Sequence, residues 1–89
     1  MYQVYAIASI HRKFVYVGLT SDLEKRVLRH NSGFEKTTKP YLPFCLIYSE
    51  TASDRPSARI REKELKSRTG KRFLYQLIKN DFPQLIQYR

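Results

Sequence analysis

The chain has 89 residues, a length that fits one small domain, and we expect a single domain over residues 1–89. Apolar residues make up 42% and aromatic residues 13%, a composition that argues against a disordered chain. Seventeen Lys and Arg against eight Asp and Glu give a formal charge of +9, which indicates a polyanionic partner such as nucleic acid.

Cysteine and histidine are scarce. Cys45 is the only cysteine, so an internal disulfide is excluded, and with only His11 and His30 beside it a zinc site is not expected. No apolar run approaches the ~20 residues of a membrane-spanning helix, and the N-terminus lacks the layout of a signal peptide. We therefore expect a cytoplasmic protein without a membrane partner.

Two strands are predicted first. Residues 2–10 carry Tyr, Val, Ile and Ala at both alternating sets of positions, which is typical of a strand covered on both faces. After the polar triplet 11–13, residues 14–17 resume a β-branched and aromatic run that ends at Gly18. The two runs predict an antiparallel hairpin.

The first helix is predicted over residues 22 to about 30. Ser21 and Glu24 have the spacing of a capping box, and apolar residues follow at helical spacing. Residues 34–43 have the composition of a basic loop with two prolines, and residues 44–48 predict a third strand.

Two more helices complete the chain. Asp54 and Pro56 predict the start of a helix that runs to about Ser67. Gly70 is predicted to interrupt the pattern, and a third helix with an apolar stripe then ends at residues 81–83. The order strand, strand, helix, strand, helix, helix predicts an α+β fold, a three-stranded antiparallel sheet flanked by three helices.

Polar residues occupy positions where the helical pattern favours apolar ones. Arg26 and His30 share a face of the first helix next to its apolar stripe. Glu62 stands on the apolar stripe of the second helix, where a carboxylate needs a partner. The candidate partners are Arg26, Arg61, Lys66 and a metal ion. An ion pair that holds the fold and a functional site both explain the pattern.

Tyr5 and Tyr16 lie on the two hairpin strands, where a single tyrosine is ordinarily a core residue. If the hairpin loop has an even number of residues, opposed positions sum to an odd number and the two tyrosines share one face. A three-residue loop would separate them.

These residues together resemble the GIY-YIG nuclease family, in particular its small single-domain bacterial members. The letters VYA at residues 4–6 stand where the family has its GIY element, and YVG at residues 16–18 where it has YIG. The similarity spans residues 2 to about 79. Further matches, in order, are Leu19, Thr20, Ser21, Asp22, Leu23, Arg26, His30, Asn31 and Gly33, then Ala58, Arg61, Glu62, Leu65 and Lys66.

The resemblance implies a nuclease site. Carried over, Glu62 would hold one Mg²⁺ or Mn²⁺ ion and Arg26 would face the scissile phosphate. Tyr5, Tyr16 and His30 would surround the attacking water, with Tyr16 the first candidate for the base and either Tyr5 or His30 as a relay.

Three positions near the motifs refine this expectation. Gly18 would let the backbone approach the site closely. Leu19 stands where some relatives, such as excision-repair nucleases, carry a lysine, and Leu74 where those relatives carry an asparagine. The small stand-alone members do not obviously share those two polar residues.

The implied function is a metal-dependent endonuclease acting on nucleic acid, with DNA the first expectation and DNA repair a candidate process. Low sequence specificity is expected because no zinc finger or helix-turn-helix is present, and selection by substrate structure or by a protein partner stays open. Phosphate-binding residues expected to flank the cleft are Lys36, Lys39, Lys63, Lys66, Arg68, Lys71 and Arg72.

Two other classes of function compete with the nuclease. A nucleic-acid-binding module with the same fold would bind phosphates without metal-dependent cleavage. An interaction protein would use the two tyrosines and Glu62 only for packing and an internal ion pair.

Overall fold

The computed structural model describes residues 1–89 and contains one antiparallel sheet and three α-helices. The strands lie in the order β2-β1-β3, so β1 is central and β2 is an edge strand. The predicted α+β fold and its element order are confirmed. The elements are β1 (Tyr2–Ser9), β2 (Val15–Thr20), α1 (Leu23–Asn31), β3 (Phe44–Ala52), α2 (Arg55–Lys66) and α3 (Arg68–Asp81), with 3₁₀ turns at Lys39–Tyr41 and Ile86–Tyr88.

The hairpin register places both strand tyrosines on one face of the sheet. Tyr5 lies opposite Gly18, and Ile7 lies opposite Tyr16, so opposed positions sum to an odd number. The last registered pair is Ala8 with Val15, which leaves six residues in the connection. The loop count is therefore even, and the two tyrosine rings lie with their centroids 6.4 Å apart.

Helices cover both faces of the sheet. The five residues from Val4 to Ala8 are completely buried, which explains why β1 is apolar at both alternating sets of positions. On one face α1 covers a small aromatic cluster built around Tyr5, Ile7 and Phe44. On the other face α2 and α3 cover the main core, which includes Val4, Ala6, Ala8, Val17, Ile47, Ala58, Leu65, Leu74 and Ile78.

Short polar side chains set where each helix begins. The Asp22 carboxylate accepts a hydrogen bond from the Lys25 amide at the start of α1, so the predicted capping box at Ser21 is wrong by one residue. The Asp54 carboxylate accepts from the Ser57 amide at 2.8 Å and starts α2, as the sequence predicts.

Two predicted boundaries differ from the structure. β3 runs to Ala52 rather than ending near residue 48, because its second half still pairs with the beginning of β1. Gly70 does not separate the last two helices: α3 begins at Arg68, directly after the Ser67 cap. No helix is long and apolar enough to cross a membrane.

Gly70 is the point of closest approach between α2 and α3. A Cβ atom there would meet the Glu64 carbonyl oxygen and would lie 2.5 Å from the Leu65 Cα. Backbone cannot move aside as a flexible side chain can, so only glycine fits.

We predict that Gly70→Ala lowers the free energy of unfolding by about 1–3 kcal/mol, because the added methyl group forces the two helices apart. Helix propensity alone predicts the opposite sign, a gain of ~1 kcal/mol. Urea denaturation of the variant and of the exposed neighbour Thr69→Ala measures the difference. A Gly70→Ala protein as stable as the Thr69→Ala protein would contradict the contact.

Candidate active site

A polar cleft of about 330 Å³ opens along the edge strand β2. It forms there because nothing pairs with the outer side of β2, while α1 approaches from one face of the sheet and α2 from the other. The lining residues are Tyr2, Tyr16, Gly18, Leu19, Thr20, Ser21, Arg26, Arg55, Arg59 and Glu62.

Gly18 creates the space that a buried tyrosine fills. An ideal Cβ at Gly18 would lie 2.7 Å from the Tyr5 hydroxyl oxygen and 2.8 Å from its Cζ. The Tyr5 ring therefore lies across the bare α-carbon of its cross-strand partner. The glycine is required for space, since Gly18 does not have a positive φ.

Tyr5 begins a chain of buried hydrogen bonds. Its hydroxyl lies 2.8 Å from His30 Nε2, and His30 Nδ1 lies 2.8 Å from the Thr38 hydroxyl. The Thr38 hydroxyl donates to the Glu35 carbonyl, so its oxygen accepts from His30 Nδ1–H. This leaves Nε2 without a proton, and the Tyr5 hydroxyl donates to it.

Burial keeps both ends of this pair neutral. Desolvation raises the pKa of Tyr5, the nearby Tyr16 raises it further, and Arg26 opposes the shift. Burial also lowers the pKa of His30, against the opposing attraction of Glu35. A neutral imidazole that accepts from a neutral phenol is therefore the resting state at neutral pH.

Glu62 is the only acidic residue that lines the cleft. Its side chain is 14% exposed, and its Oε2 accepts a hydrogen bond from Lys66 Nζ at 3.2 Å. Of the partners that the sequence suggests, Lys66 is the one in contact; Arg61 instead binds Glu50. Because the Lys66 side chain is half exposed, the carboxylate keeps a partner that can leave for water.

Three arginines share the cleft with this carboxylate. Arg26 comes from α1, and Arg55 and Arg59 come from α2. None of the three forms an ion pair, and the Arg55 guanidinium lies over the Tyr2 ring. With three cations and one carboxylate, the cleft attracts an anion.

Arg55 and Arg59 were not predicted as site residues from the sequence. The signal was available, because residues 55, 59 and 62 follow the i, i+4, i+7 spacing of one helix face. Once Glu62 was singled out, the same face pointed to both arginines.

The predicted catalytic residues separate into two layers. Tyr16, Arg26 and Glu62 line the cleft together with Gly18. Tyr5 is completely buried and His30 is 1% exposed, so these two do not open to the cleft, whereas the resemblance implies that they surround an attacking water together with Tyr16. The reason is that α1 covers the face of β1 that carries Tyr5. Tyr16 links the layers, since its ring centroid is 5.0 Å from that of His30.

The seven predicted phosphate-binding residues lie elsewhere. None of them lines the cleft, and among the ion pairs only that of Lys66 reaches a cleft residue. Lys36 and Lys39 are exposed in the segment after α1, and Lys63 is exposed on α2. Arg68, Lys71 and Arg72 line a separate groove on α3. Lys66 therefore adjoins the cleft through Glu62, whereas for the other six residues the geometry gives no support to the expectation that they flank it.

No group of three or more His, Cys, Asp or Glu side chains comes together in the structure. A metal ion in the cleft would have one carboxylate, that of Glu62, and would take its other ligands from water or from a bound phosphate. Mg²⁺ accepts such a sparse protein donor set, whereas a structural zinc site does not.

Comparison with known proteins identifies relatives of the chain. Residues 1–76 match the model of the GIY-YIG catalytic domain. The UPF0213 protein YsiG of Lactococcus lactis is 40% identical over 79 residues, which cover 85% of this chain and 76% of the relative. No solved structure matches the chain.

Two further relatives match over shorter segments. A UPF0213 protein of Haloquadratum walsbyi is 41% identical over 56 residues, 62% of this chain and 63% of that protein. A UPF0213 protein of Staphylococcus saprophyticus is 39% identical over 54 residues, 60% of this chain and 66% of that protein. The match spans slightly less than two thirds of both relatives.

The buried His30 predicts a pH dependence of folding. Its pKa is lowered in the folded state, so the unfolded chain binds more protons once the pH falls below about 6.5, the ordinary histidine value. Stability from this residue is present above that pH and is lost as the pH decreases. We predict that in His30→Gln the urea concentration at half unfolding changes less between about pH 7.5 and pH 5.5 than in the wild type.

His11 provides the matched control because it is the other histidine and is exposed. His11→Gln is expected to keep the wild-type loss of stability on acidification. If His11→Gln rather than His30→Gln abolished it, the assignment of a neutral buried His30 would be wrong.

Proposed function

The chain belongs to the GIY-YIG family of nuclease domains, and from that premise we propose that it is a metal-dependent endonuclease that hydrolyses phosphodiester bonds of nucleic acid. The observation that carries the proposal is the meeting of a tyrosine hydroxyl, a free guanidinium and a single carboxylate in one anion-attracting cleft. These groups come from Tyr16, Arg26 and Glu62.

Arg26 has the properties required at the scissile phosphate. Its charge is permanent, it is not taken up by an acidic partner, and its planar fork of donors matches phosphate oxygens. In the proposal it stabilises the charge that develops during displacement. Arg55 and Arg59, one turn apart on α2, bind the neighbouring phosphates and hold the strand along β2.

Glu62 is the proposed metal ligand. Its carboxylate faces the cleft, and the cationic neighbours leave room for phosphate oxygens as further ligands. When bound, Mg²⁺ or Mn²⁺ would polarise the phosphate and stabilise the leaving oxygen. Lys66 would release the carboxylate, since its half-exposed ammonium can return to water at little cost.

Tyr16 is the proposed general base. Of the two tyrosines only Tyr16 lines the cleft, where it shares the lining with Arg26 and Glu62. Tyr5 serves a different purpose, because its hydroxyl donates to His30 and its pKa is raised by burial. Tyr5 and His30 therefore position the Tyr16 ring and the Gly18 backbone. In a relay, Tyr5 would give its hydroxyl proton to His30 Nε2 while its oxygen takes up a proton from the cleft side.

DNA is the proposed first substrate, in keeping with the basic charge and the family. The cleft has arginines that suit phosphates and has few groups placed to read base edges, which favours low sequence specificity. Selection of a cutting site then depends on nucleic acid structure or on a protein partner. A cytoplasmic location fits this proposal.

We predict that Glu62→Gln removes Mg²⁺-stimulated cleavage of a labelled DNA panel by at least about a hundredfold, because the sole carboxylate of the cleft is lost. Single strands, duplexes, flaps and four-way junctions, each with Mg²⁺, Mn²⁺ or EDTA, form the panel. The unfolding free energy in EDTA should change by less than ~0.5 kcal/mol, because the pair that is lost is an i, i+4 pair with a half-exposed lysine.

Glu64→Gln is the matched control, because Glu64 lies on the same helix, pairs with Arg61 and does not line the cleft. It should cleave as the wild type does. A stability loss of about 3 kcal/mol in Glu62→Gln would instead identify a structural ion pair. Binding without metal-dependent cleavage in the wild type would favour a nucleic-acid-binding module.

A further inference from the structure

The outer face of α3 is a row of cations without acidic residues. Six residues at positions i, i+3, i+4, i+7, i+8 and i+11 line a shallow groove along this helix, on the side away from the core. They span about 17 Å at the helical rise of 1.5 Å per residue. We call them the α3 groove: Arg68, Lys71, Arg72, Tyr75, Gln76 and Lys79.

The four cations of the α3 groove have no ion-pair partner. All four ion pairs of the structure involve Arg29, Arg61 or Lys66. Like charges three and four residues apart on a helix repel each other and destabilise it. An ordinary solvated helix face would alternate its charges. The like charges here lower the stability of the helix, and no ion pair within the chain offsets that loss.

The tip of the β1–β2 hairpin adds a fifth cation and is held rigidly. Lys13 Nζ lies 5.5 Å from the centre of the Tyr75 ring, which joins the tip to the groove. The buried Tyr88 hydroxyl donates within the hairpin loop and accepts from the Phe14 amide at 3.1 Å. Gln87 donates to loop carbonyls as well. Lys13 is therefore presented by a fixed loop.

The α3 groove is distinct from the cleft. The two share no lining residue. α2 packs against all three strands and against α3, and it supplies Arg55, Arg59 and Glu62 to the cleft. The groove lies on α3, so a ligand that reaches both surfaces has to extend past α2. A ligand confined to the cleft does not need the α3 cations.

We propose that the α3 groove is a second nucleic-acid-binding surface, which holds the phosphate backbone of a segment other than the one in the cleft. The occupant is inferred from charge complementarity: five unpaired cations, no acid and an amide match a row of phosphates. A length of about 17 Å follows roughly half a turn of B-form duplex. Tyr75 is the one hydrophobic side chain in the groove, and a single half-buried tyrosine is not the broad apolar face with which a helix enters a membrane.

This second surface rests on the proposed function only in treating the bound nucleic acid as the substrate; binding itself can be tested without cleavage. A nucleic acid that occupies both surfaces must be long enough to pass α2, or must offer two arms. Longer duplexes and branched molecules should therefore bind more tightly than short single strands, which reach the cleft alone.

The test compares two variants that lose the same charge. Lys71→Gln with Lys79→Gln removes two groove cations. Lys36→Gln with Lys39→Gln removes two exposed cations in the segment after α1, which line neither the cleft nor the groove. Affinity for a ~30-bp duplex is measured by fluorescence anisotropy in EDTA between ~50 and ~200 mM salt, so the readout does not depend on cleavage.

The groove variant is expected to bind the duplex about tenfold more weakly, with a slope of log K against log salt reduced by ~1.8, or ~0.9 for each lost phosphate contact. The control variant should keep nearly the wild-type slope. With a ~6-nucleotide single strand, the two variants and the wild type should bind alike, because that ligand reaches only the cleft.

Three results would overturn the proposal. Equal losses in both variants would show a non-specific charge effect, and an unchanged slope in the groove variant would show that the groove holds no phosphate. If the groove variant bound vesicles rich in phosphatidylserine more weakly than the wild type but bound the duplex equally well, the groove would be a membrane-binding surface instead. If the protein bound duplex through the groove but cleaved none of the DNA substrates, only the proposed nuclease function would be rejected.

Discussion

The site depends on one contact, that of the Tyr5 ring with the bare α-carbon of Gly18. Ordinarily, the side chain of the cross-strand partner would block a tyrosine in this position on the central strand. Because Gly18 has no side chain, the Tyr5 hydroxyl continues to His30 on α1, and the pair fixes the spacing between sheet and helix. Arg26 stands one turn before His30, so its position in the cleft follows from the same contact.

Charge in the cleft sets function against stability. Folding favours an apolar residue at position 62 and acidic partners for the arginines of α1 and α2. The cleft instead has one carboxylate, which pairs with the half-exposed Lys66, and three guanidinium groups without acidic partners. The main core under α2 and α3, in which Val4, Leu65 and Leu74 are buried, supplies the stability that offsets these unpaired charges.

More of the fold than of the site could be predicted from the sequence. The apolar residues at both alternating sets of positions in β1 and the Asp54 cap could be predicted because each depends on local sequence. Whether Tyr5 and Tyr16 share a face stayed open, because it depends on the length of the hairpin loop. Burial of Tyr5 and His30 was not readable, since it depends on how α1 docks. The docking is fixed by Asn31, whose side chain brackets the backbone of Phe44, a contact between elements that are apart in the chain. Helical spacing alone also gave no sign that Gly70 lies inside α3.

The arrangement of α2 decides how the two basic surfaces relate. One face of this helix supplies Arg59 and Glu62 to the cleft, and the residues near its end meet Gly70 of α3 backbone to backbone. No side chain lies between the helices at that point, so α3 cannot shift relative to the cleft without unpacking Leu65. A nucleic acid held in the groove would therefore meet the cleft at a fixed offset, and geometry rather than base sequence would select the bond that reaches Arg26.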